Sequence, residues 1–235
     1  MTPGPLAGRV AVVTGGTGAL GRAVTLRLLA DGAAVSVPYV VDAERDALLA
    51  RVPVEPGRLL VRRSDVTDEA AMAAFVDAVH AHHGRIDILV TAVGGFAPGD
   101  LLATDRRTWD GMLGLNLTSA FVAARAIVPD MVAAGYGRIV TVASRAVLPP
   151  AGGFIAYTVA KAGLIAFTQA LAAELKGHGV SVNAVLPSTM DTPANRAAMP
   201  DSDRQGWVPV ESVAEAIAFL VHDRAGDVTG ALVTV

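Results

Sequence analysis

The sequence predicts an α/β fold built on a doubly wound parallel sheet of about seven strands, with helices on both faces. Short runs rich in Val and Ile alternate with longer amphipathic segments along the 235 residues. Most of these short runs lack polar alternation, so both of their faces should be buried, as in a parallel sheet. A glycine-rich turn also joins the first short run to the first helical segment. Together these observations favour crossover connections and a ligand at the carboxyl ends of the strands.

The elements follow one another without an internal repeat or a low-complexity linker, so residues 1–235 are expected to form one domain. The predicted strands are residues 9–13, 34–37, 59–61, 86–90, 138–142, 180–185 and 231–235. The predicted helices are residues 19–30, 43–51, 68–82, 106–134, 155–176 and 211–222. The one long irregular stretch, residues 187–209, is predicted to be a loop on the substrate side, because such segments are often functional.

Composition excludes several classes of function. The net charge is −3 and there is no basic block, so nucleic acid is not an expected partner. Cysteine is absent, which excludes disulfides and thiolate nucleophiles, and no convergent histidines or carboxylates indicate a metal site. No signal peptide and no uninterrupted apolar run of membrane-spanning length is evident. We therefore expect a cytoplasmic protein that does not enter a membrane.

The glycine-rich turn runs from Thr14 to Gly21, with Gly16, Gly18 and Gly21 in Gly-x-Gly-x-x-Gly spacing. Glycines permit a tight turn and let backbone N–H groups approach a pyrophosphate at the start of the helix. A phosphate-binding loop of nucleotide hydrolases would need Lys after the last glycine, where Arg22 stands. The turn therefore indicates a Rossmann-type dinucleotide site.

The end of the second predicted strand bears on cofactor choice. An Asp or Glu there would bind the ribose of NAD(H), but the sequence has Tyr39, with Asp42 and Arg45 slightly later. The strand end therefore has neither an acid that would repel the 2′-phosphate of NADP(H) nor a guanidinium that would bind it. The predicted cofactor is therefore NAD(P)(H), with NADP(H) slightly favoured over NAD(H).

Four residues form a candidate catalytic set. Tyr157 and Lys161 stand four apart in a helical segment, so their side chains share one face. A nearby ammonium would lower the pKa of a phenol and suit it to acid–base work on an alcohol or carbonyl. Ser144 ends a predicted strand, and Asn116 interrupts an apolar helix. Taken alone, Tyr-x-x-x-Lys also fits an ordinary surface pair.

With these motifs in place, the chain resembles compact members of the short-chain dehydrogenase/reductase family over nearly its whole length. The matching residues are the Thr14–Gly21 turn, Asp65 and Val66, Gly94, Asn116, Ser144, Tyr157, Lys161 and the strand end Asn183–Pro187. The resemblance implies a catalytic tetrad of Asn116, Ser144, Tyr157 and Lys161, with Lys161 on the nicotinamide ribose. It implies that Asp65 holds the adenine amine and Thr192 the nicotinamide carboxamide. The full predicted cofactor-binding set is Gly15, Thr17, Gly18, Leu20, Gly21, Tyr39, Asp65, Val66, Ala92, Gly94, Tyr157, Lys161, Pro187 and Thr192.

Several positions depart from the family pattern. Thr91 replaces the usual structural asparagine, Ser188 replaces a glycine, and the glycine spacing Gly15–Gly18–Gly21 resembles longer, epimerase-type relatives. An epimerase or dehydratase therefore remains an alternative, although the chain ends soon after its last strand. A non-catalytic dinucleotide sensor is a second alternative, which the intact tetrad disfavours.

The partners expected from the sequence are a small carbonyl or alcohol substrate and further copies of the chain. The apolar segments 106–134 and 155–176 exceed what one sheet face should cover, and the family pairs such helices across two-fold axes. We expect a homo-oligomer, a tetramer or a dimer.

Overall fold

The computed structural model describes residues 4–52 and 57–235, and contains one seven-stranded, wholly parallel sheet with strand order β3-β2-β1-β4-β5-β6-β7. The strands are β1 (Val10–Thr14), β2 (Ala34–Tyr39), β3 (Leu59–Arg63), β4 (Ile88–Thr91), β5 (Gly137–Val142), β6 (Val180–Leu186) and β7 (Leu232–Thr234). The order reverses at β1, so the predicted doubly wound sheet is confirmed, with its topological switch point between β1 and β4.

Helices cover both faces of this sheet. They are α1 (Ala19–Ala30), α2 (Asp42–Leu49), α3 (Glu69–His83), α4 (Arg106–Leu113), α5 (Ser119–Ala134), α6 (Ile155–Glu174), α7 (Pro193–Ala198) and α8 (Val210–Val221). One core lies between the sheet and α1 and α8, and the opposite core lies between the sheet and α3, α5 and α6. Because side chains alternate along a strand, Val13 enters the first core and Val12 the second.

The predicted helix over residues 106–134 is present, but it is not a regular α-helix throughout. A π-helical turn, Gly114–Thr118, separates α4 from α5 and contains Asn116. Single π-turns within helices are frequent at functional sites. The polar residue that interrupts the apolar pattern therefore marks the position where the helix widens.

The stretch 187–209 was expected to be irregular, and this was wrong for its middle. Helix α7 begins at Pro193, and the Oγ1 of Thr192 accepts a hydrogen bond from the Asn195 N–H at 3.1 Å. A capping threonine followed by proline is a local helix-start signal. A parallel bridge between Met190 and Val208 closes the two ends of the stretch on each other.

Two helical stretches, Arg106–Ala134 and Ile155–Glu174, are long and apolar enough to cross a membrane by length and composition. Both contribute side chains to the cores on the sheet, yet only 39% and 44% of their most apolar windows are buried within this chain. Two large apolar side chains of these helices, Phe121 and Val159, are exposed.

Candidate active site

The carboxyl ends of the central strands meet at one edge of the sheet and place the predicted site residues together. Thr14 of β1 lies beside Thr91 of β4, which lies beside Thr141 of β5. The segments that follow these strands, and the one that follows β6, therefore leave from the same edge. This edge is the position at which open α/β sheets bind ligands.

Lys161 lies at the centre of this edge and is almost wholly buried, with 5% of its surface exposed. Its Nζ donates a hydrogen bond of 2.7 Å to the carbonyl oxygen of Val142, the last residue of β5. Burial lowers the pKa of this ammonium from 10.5 to about 8. An ammonium has three N–H donors, so donors remain beyond the one that Val142 uses.

Asn116 lies beside Lys161 and fixes the segment that follows β4. Its Oδ1 accepts from the N–H of Gly95, and its Nδ2 donates to the carbonyl oxygens of Gly95 and Met112, each at 3.1 Å. A Cβ added to Gly94 would lie 2.8 Å from Asn116 Oδ1 and 3.2 Å from Lys161 Nζ. Gly94 is thus in close contact with both polar groups, which leaves no space for a side chain.

Tyr157 lies one turn before Lys161 on α6 and is half-buried. Burial raises the pKa of its phenol, and hydrogen bonding to the side chain of Ser144 partly opposes that rise. Ser144 is itself buried, and its Oγ accepts from the Ala146 N–H at 3.2 Å. The expected lowering of the phenol pKa was wrong, because burial of Tyr157 outweighs the hydrogen bond to Ser144.

Two aromatic side chains that the sequence analysis missed surround the phenol. The Phe96 ring lies edge-on to that of Tyr157, with centroids 5.2 Å apart, and the Phe154 ring lies 6.1 Å from it. Their positions in the sequence could have indicated a place near the site, because Phe154 precedes Tyr157 by three residues and Phe96 follows Gly94 by two. The arrangement can place an acid–base phenol, a serine hydroxyl and a buried ammonium around one small-molecule carbonyl.

Comparison with known proteins agrees with this geometry. The short chain dehydrogenase family profile matches residues 9–203, which is most of the chain. The chain belongs to the short-chain dehydrogenase family.

Several relatives of this short-chain dehydrogenase are named reductases or dehydrogenases. It is 32% identical to the 3-oxoacyl-(acyl-carrier-protein) reductase of Escherichia coli, over 95% of this chain and 93% of that protein. It is 38% identical to cis-4-hydroxycyclohexanecarboxylate dehydrogenase of Sinomonas cyclohexanicum, over 97% and 94% of the two chains. The solved structure of levodione reductase superimposes with a TM-score of 0.88 at 27% identity, covering 98% and 96% of the two chains.

These relationships give the reaction class. The protein is an NAD(P)-dependent oxidoreductase that transfers a hydride between a nicotinamide and a small carbonyl or alcohol substrate, and the epimerase and sensor alternatives are not favoured.

The glycine-rich turn of this short-chain dehydrogenase fits a dinucleotide. Gly15 has a φ of +68°, and a Cβ there would lie 2.8 Å from the backbone of Ala92 and Val93. A Cβ on Gly21 would overlap the Gly15 carbonyl oxygen. Among the described residues no side chain caps the N-terminus of α1 at Gly18. Its free N–H groups and the helix dipole suit a pyrophosphate.

Two guanidinium groups flank Tyr39 at the end of β2. Arg45 donates to the Tyr39 hydroxyl at 2.9 Å, and Arg63 lies 5.6 Å from the centre of the same ring. Both arginines also pair with Asp42, at 2.9 and 2.6 Å. Asp42 and Arg45 follow β2 closely in the sequence, whereas Arg63 could not be linked to Tyr39 because it comes from the neighbouring strand β3.

A carboxylate also reaches the glycine-rich turn. Thr17 is buried, and its Oγ1 donates to Oε2 of Glu44 at 3.0 Å. Glu44 lies in the first turn of α2, where its spacing from the end of β2 gave no indication that it would reach Thr17. The neighbourhood of Tyr39 and the glycine turn therefore carries both signs of charge.

The remaining predicted cofactor residues lie at the same edge. Asp65 is exposed after β3, where one of its oxygens accepts from the N–H and hydroxyl of Thr67, and Val66 is buried behind it. Leu20 is buried in the core beneath the turn. The Pro187 carbonyl oxygen accepts from the Arg145 N–H at 3.0 Å, which fixes the end of β6 beside Ser144.

Thr91 shows the consequence of losing the usual asparagine. Its Oγ1 is buried and has no hydrogen-bond partner within residues 4–52 and 57–235. A threonine at this position therefore places a buried hydroxyl, unpartnered within the described part of the chain, at the end of β4.

Proposed function

We propose that Tyr157 is the general acid and base of this enzyme, with Ser144, Lys161 and Asn116 completing the catalytic set. The observation that carries the proposal is the position of the half-buried Tyr157 phenol, beside Ser144 and one helical turn from the buried Lys161 ammonium. Groups with perturbed pKa values that converge at a ligand-binding edge are candidates for acid–base roles.

When bound, a nicotinamide dinucleotide supplies or accepts the hydride. In the reductive direction Tyr157 donates its phenolic proton to the substrate oxygen as the carbonyl carbon gains hydride; in oxidation the phenolate accepts the proton. Because burial raises the phenol pKa, Tyr157 is protonated at neutral pH, as a proton donor must be. Ser144 donates its hydroxyl hydrogen to the same substrate oxygen.

Lys161 and Asn116 support the site from beneath. We assign the free N–H donors of Lys161 to the nicotinamide ribose. The ribose hydroxyls would then give the buried ammonium hydrogen-bond partners in addition to the Val142 carbonyl. Asn116 holds the Gly94–Gly95 backbone in place for the cofactor. The glycine turn holds the pyrophosphate, Asp65 the adenine amine, and Thr192 the carboxamide.

For the cofactor we infer a small preference for NADP(H) over NAD(H). Arg45 and Arg63 offer guanidinium groups to a 2′-phosphate, but Asp42 already pairs with both, and the Glu44 carboxylate opposes an anion. Because the carboxylates offset part of the attraction between the arginines and a 2′-phosphate, we expect the preference for NADP(H) to stay below about tenfold, or roughly 1.4 kcal/mol. Arg63→Gln should lower kcat/KM for NADPH and leave that for NADH unchanged, whereas a wild-type preference for NADH beyond tenfold would contradict the inference.

We also propose that residues 1–235 act as one domain, with residues 187–209 on the substrate side. Two contacts support this position of residues 187–209. The Pro187–Arg145 hydrogen bond holds the start of the stretch next to Ser144, and the Met190–Val208 bridge holds its two ends together. A homo-oligomer, a tetramer or a dimer, is supported by Phe121 of α5 and Val159 of α6, which are 41% and 40% exposed. Independence from nucleic acid and membrane and a cytoplasmic location stay predictions.

The test is a panel of ketones and alcohols with both cofactors, followed by nicotinamide absorbance. Net oxidation or reduction that depends on Tyr157 supports the proposal. Substrate conversion without a net absorbance change would indicate an epimerase or dehydratase, and cofactor binding without any turnover would indicate a sensor.

A further inference from the structure

Two loops form the rim around the Tyr157 phenol, and we call them the apolar rim: residues 93–99 after β4 and residues 146–154 after β5. Residues 93–99 are Val, Gly, Gly, Phe, Ala, Pro and Gly, and residues 146–154 are Ala, Val, Leu, Pro, Pro, Ala, Gly, Gly and Phe. Neither loop contains a polar side chain. Between Ser144 and Tyr157 the one ionisable side chain is that of Arg145, which precedes the rim.

The two loops are joined to each other through their backbones. The Gly99 N–H donates to the Gly153 carbonyl at 2.8 Å, and the Ile155 N–H donates to the Gly99 carbonyl at 3.0 Å. Gly99 and Gly153 have φ values of +148° and +87°, conformations that favour glycine. These bonds lie on both sides of Phe154, so its position against Tyr157 is fixed by the backbone.

Phe96, in the loop of residues 93–99, also packs against Tyr157 and Phe154. Its ring lies 5.6 Å from that of Phe154 and 5.2 Å from that of Tyr157, yet the side chain is 59% exposed. Leu148 of the rim is 51% exposed as well. Exposed apolar side chains grouped around a catalytic phenol are typical of a surface that a ligand covers.

We propose that the substrate is a ketone, or the corresponding secondary alcohol, whose reacting carbon belongs to or adjoins an apolar ring that packs on Phe96. This inference rests on the proposed function of Tyr157. An aromatic face offers a ring a large contact area. Polyols and sugars are disfavoured, because hydroxyl groups packed on the apolar rim would find no side-chain partner.

The experiment compares cyclohexanone with 2-hexanone, which has the same number of carbon atoms, in wild type, Phe96→Ala and Phe219→Ala. Phe219 is the matched control, since it is 60% exposed but lies on α8, in the other helical layer. We expect Phe96→Ala to lower kcat/KM for cyclohexanone by roughly ten- to hundredfold. The value for 2-hexanone should fall by less than about threefold, and Phe219→Ala should change neither. The intrinsic reactivities of the two ketones cancel, because each variant is compared with wild type on the same substrate.

The outcomes separate this inference from the proposed function. Equal losses on both ketones, or no loss, would overturn the ring-binding role of Phe96 while leaving hydride transfer intact. A wild type that prefers a four-carbon polyol to every ring alcohol would overturn it too. No turnover of any ketone or alcohol would instead contradict the proposed function. Phe96→Leu, which keeps an apolar side chain but loses the ring, should give an intermediate loss on cyclohexanone alone.

Discussion

Replacement of Lys161 by methionine should make the protein more stable at neutral pH while it abolishes the proposed site. The Lys161 ammonium is buried, with a pKa of about 8 instead of 10.5. That difference corresponds to roughly 3 kcal/mol by which burial disfavours the charged form at pH 7. Methionine has a similar length and no charge, but it leaves the Val142 carbonyl without its 2.7 Å hydrogen bond, which costs about 1 to 2 kcal/mol. The net expected gain is about 1 to 2 kcal/mol.

The pH dependence gives this prediction a sign that a packing effect would not share. The unfolded chain holds the Lys161 proton more tightly than the folded chain, so wild type gains stability as the pH rises from about 8 to 10.5. Lys161→Met lacks this gain. The stability difference should therefore favour the variant at pH 7 and reverse in favour of wild type at pH 10.5, when only the lost hydrogen bond remains.

The assay is urea unfolding of both proteins at a series of pH values from 7 to 10.5. Lys176→Met is the control, because it removes the other lysine of the chain from an exposed position and should change stability by no more than about 0.5 kcal/mol. A Lys161→Met protein that is less stable than wild type at pH 7, or a stability difference that stays constant with pH, would show that the buried ammonium does not destabilise the fold.

Two further predictions concern the site and the assembly. Gly94→Ala should lower kcat/KM at least tenfold, because the new Cβ crowds Asn116 and Lys161, whereas Gly111→Ala, in open space on α4, should leave activity unchanged; equal activities would contradict the close packing. Light scattering at micromolar concentration should show a dimer or tetramer, and Phe121→Glu, on an exposed part of α5, should shift it towards monomer; a wild-type monomer would contradict the proposed assembly.

The general fold and the central site could be predicted from the sequence because their signals are local. Val-rich runs specify buried parallel strands, and Tyr157 and Lys161 lie on one helix at a spacing that fixes their shared face. Ser144 could be placed because a residue that closely follows the end of a parallel strand lies at the ligand-binding edge.

Features that depend on contacts distant in sequence could not be predicted. The π-turn around Asn116 arises where Gly95, from another segment, bonds to its side chain. The pairing of Arg63 with Asp42 joins a strand to a helix, and the contact between the Phe96 and Phe154 rings joins two loops. The pKa of Tyr157 was expected to fall, but its burial dominates, and burial cannot be read from residue spacing.

The most direct test of the acid–base role of Tyr157 is the turnover of Tyr157→Phe, because this change removes only the phenolic hydroxyl. Nicotinamide absorbance gives kcat, and calorimetry gives the Kd of the reduced cofactor for both proteins. We expect kcat to fall by at least two orders of magnitude, the typical contribution of a general acid, while the cofactor Kd stays within about threefold of wild type. Residual kcat above about a tenth of the wild-type value would contradict the role assigned to Tyr157.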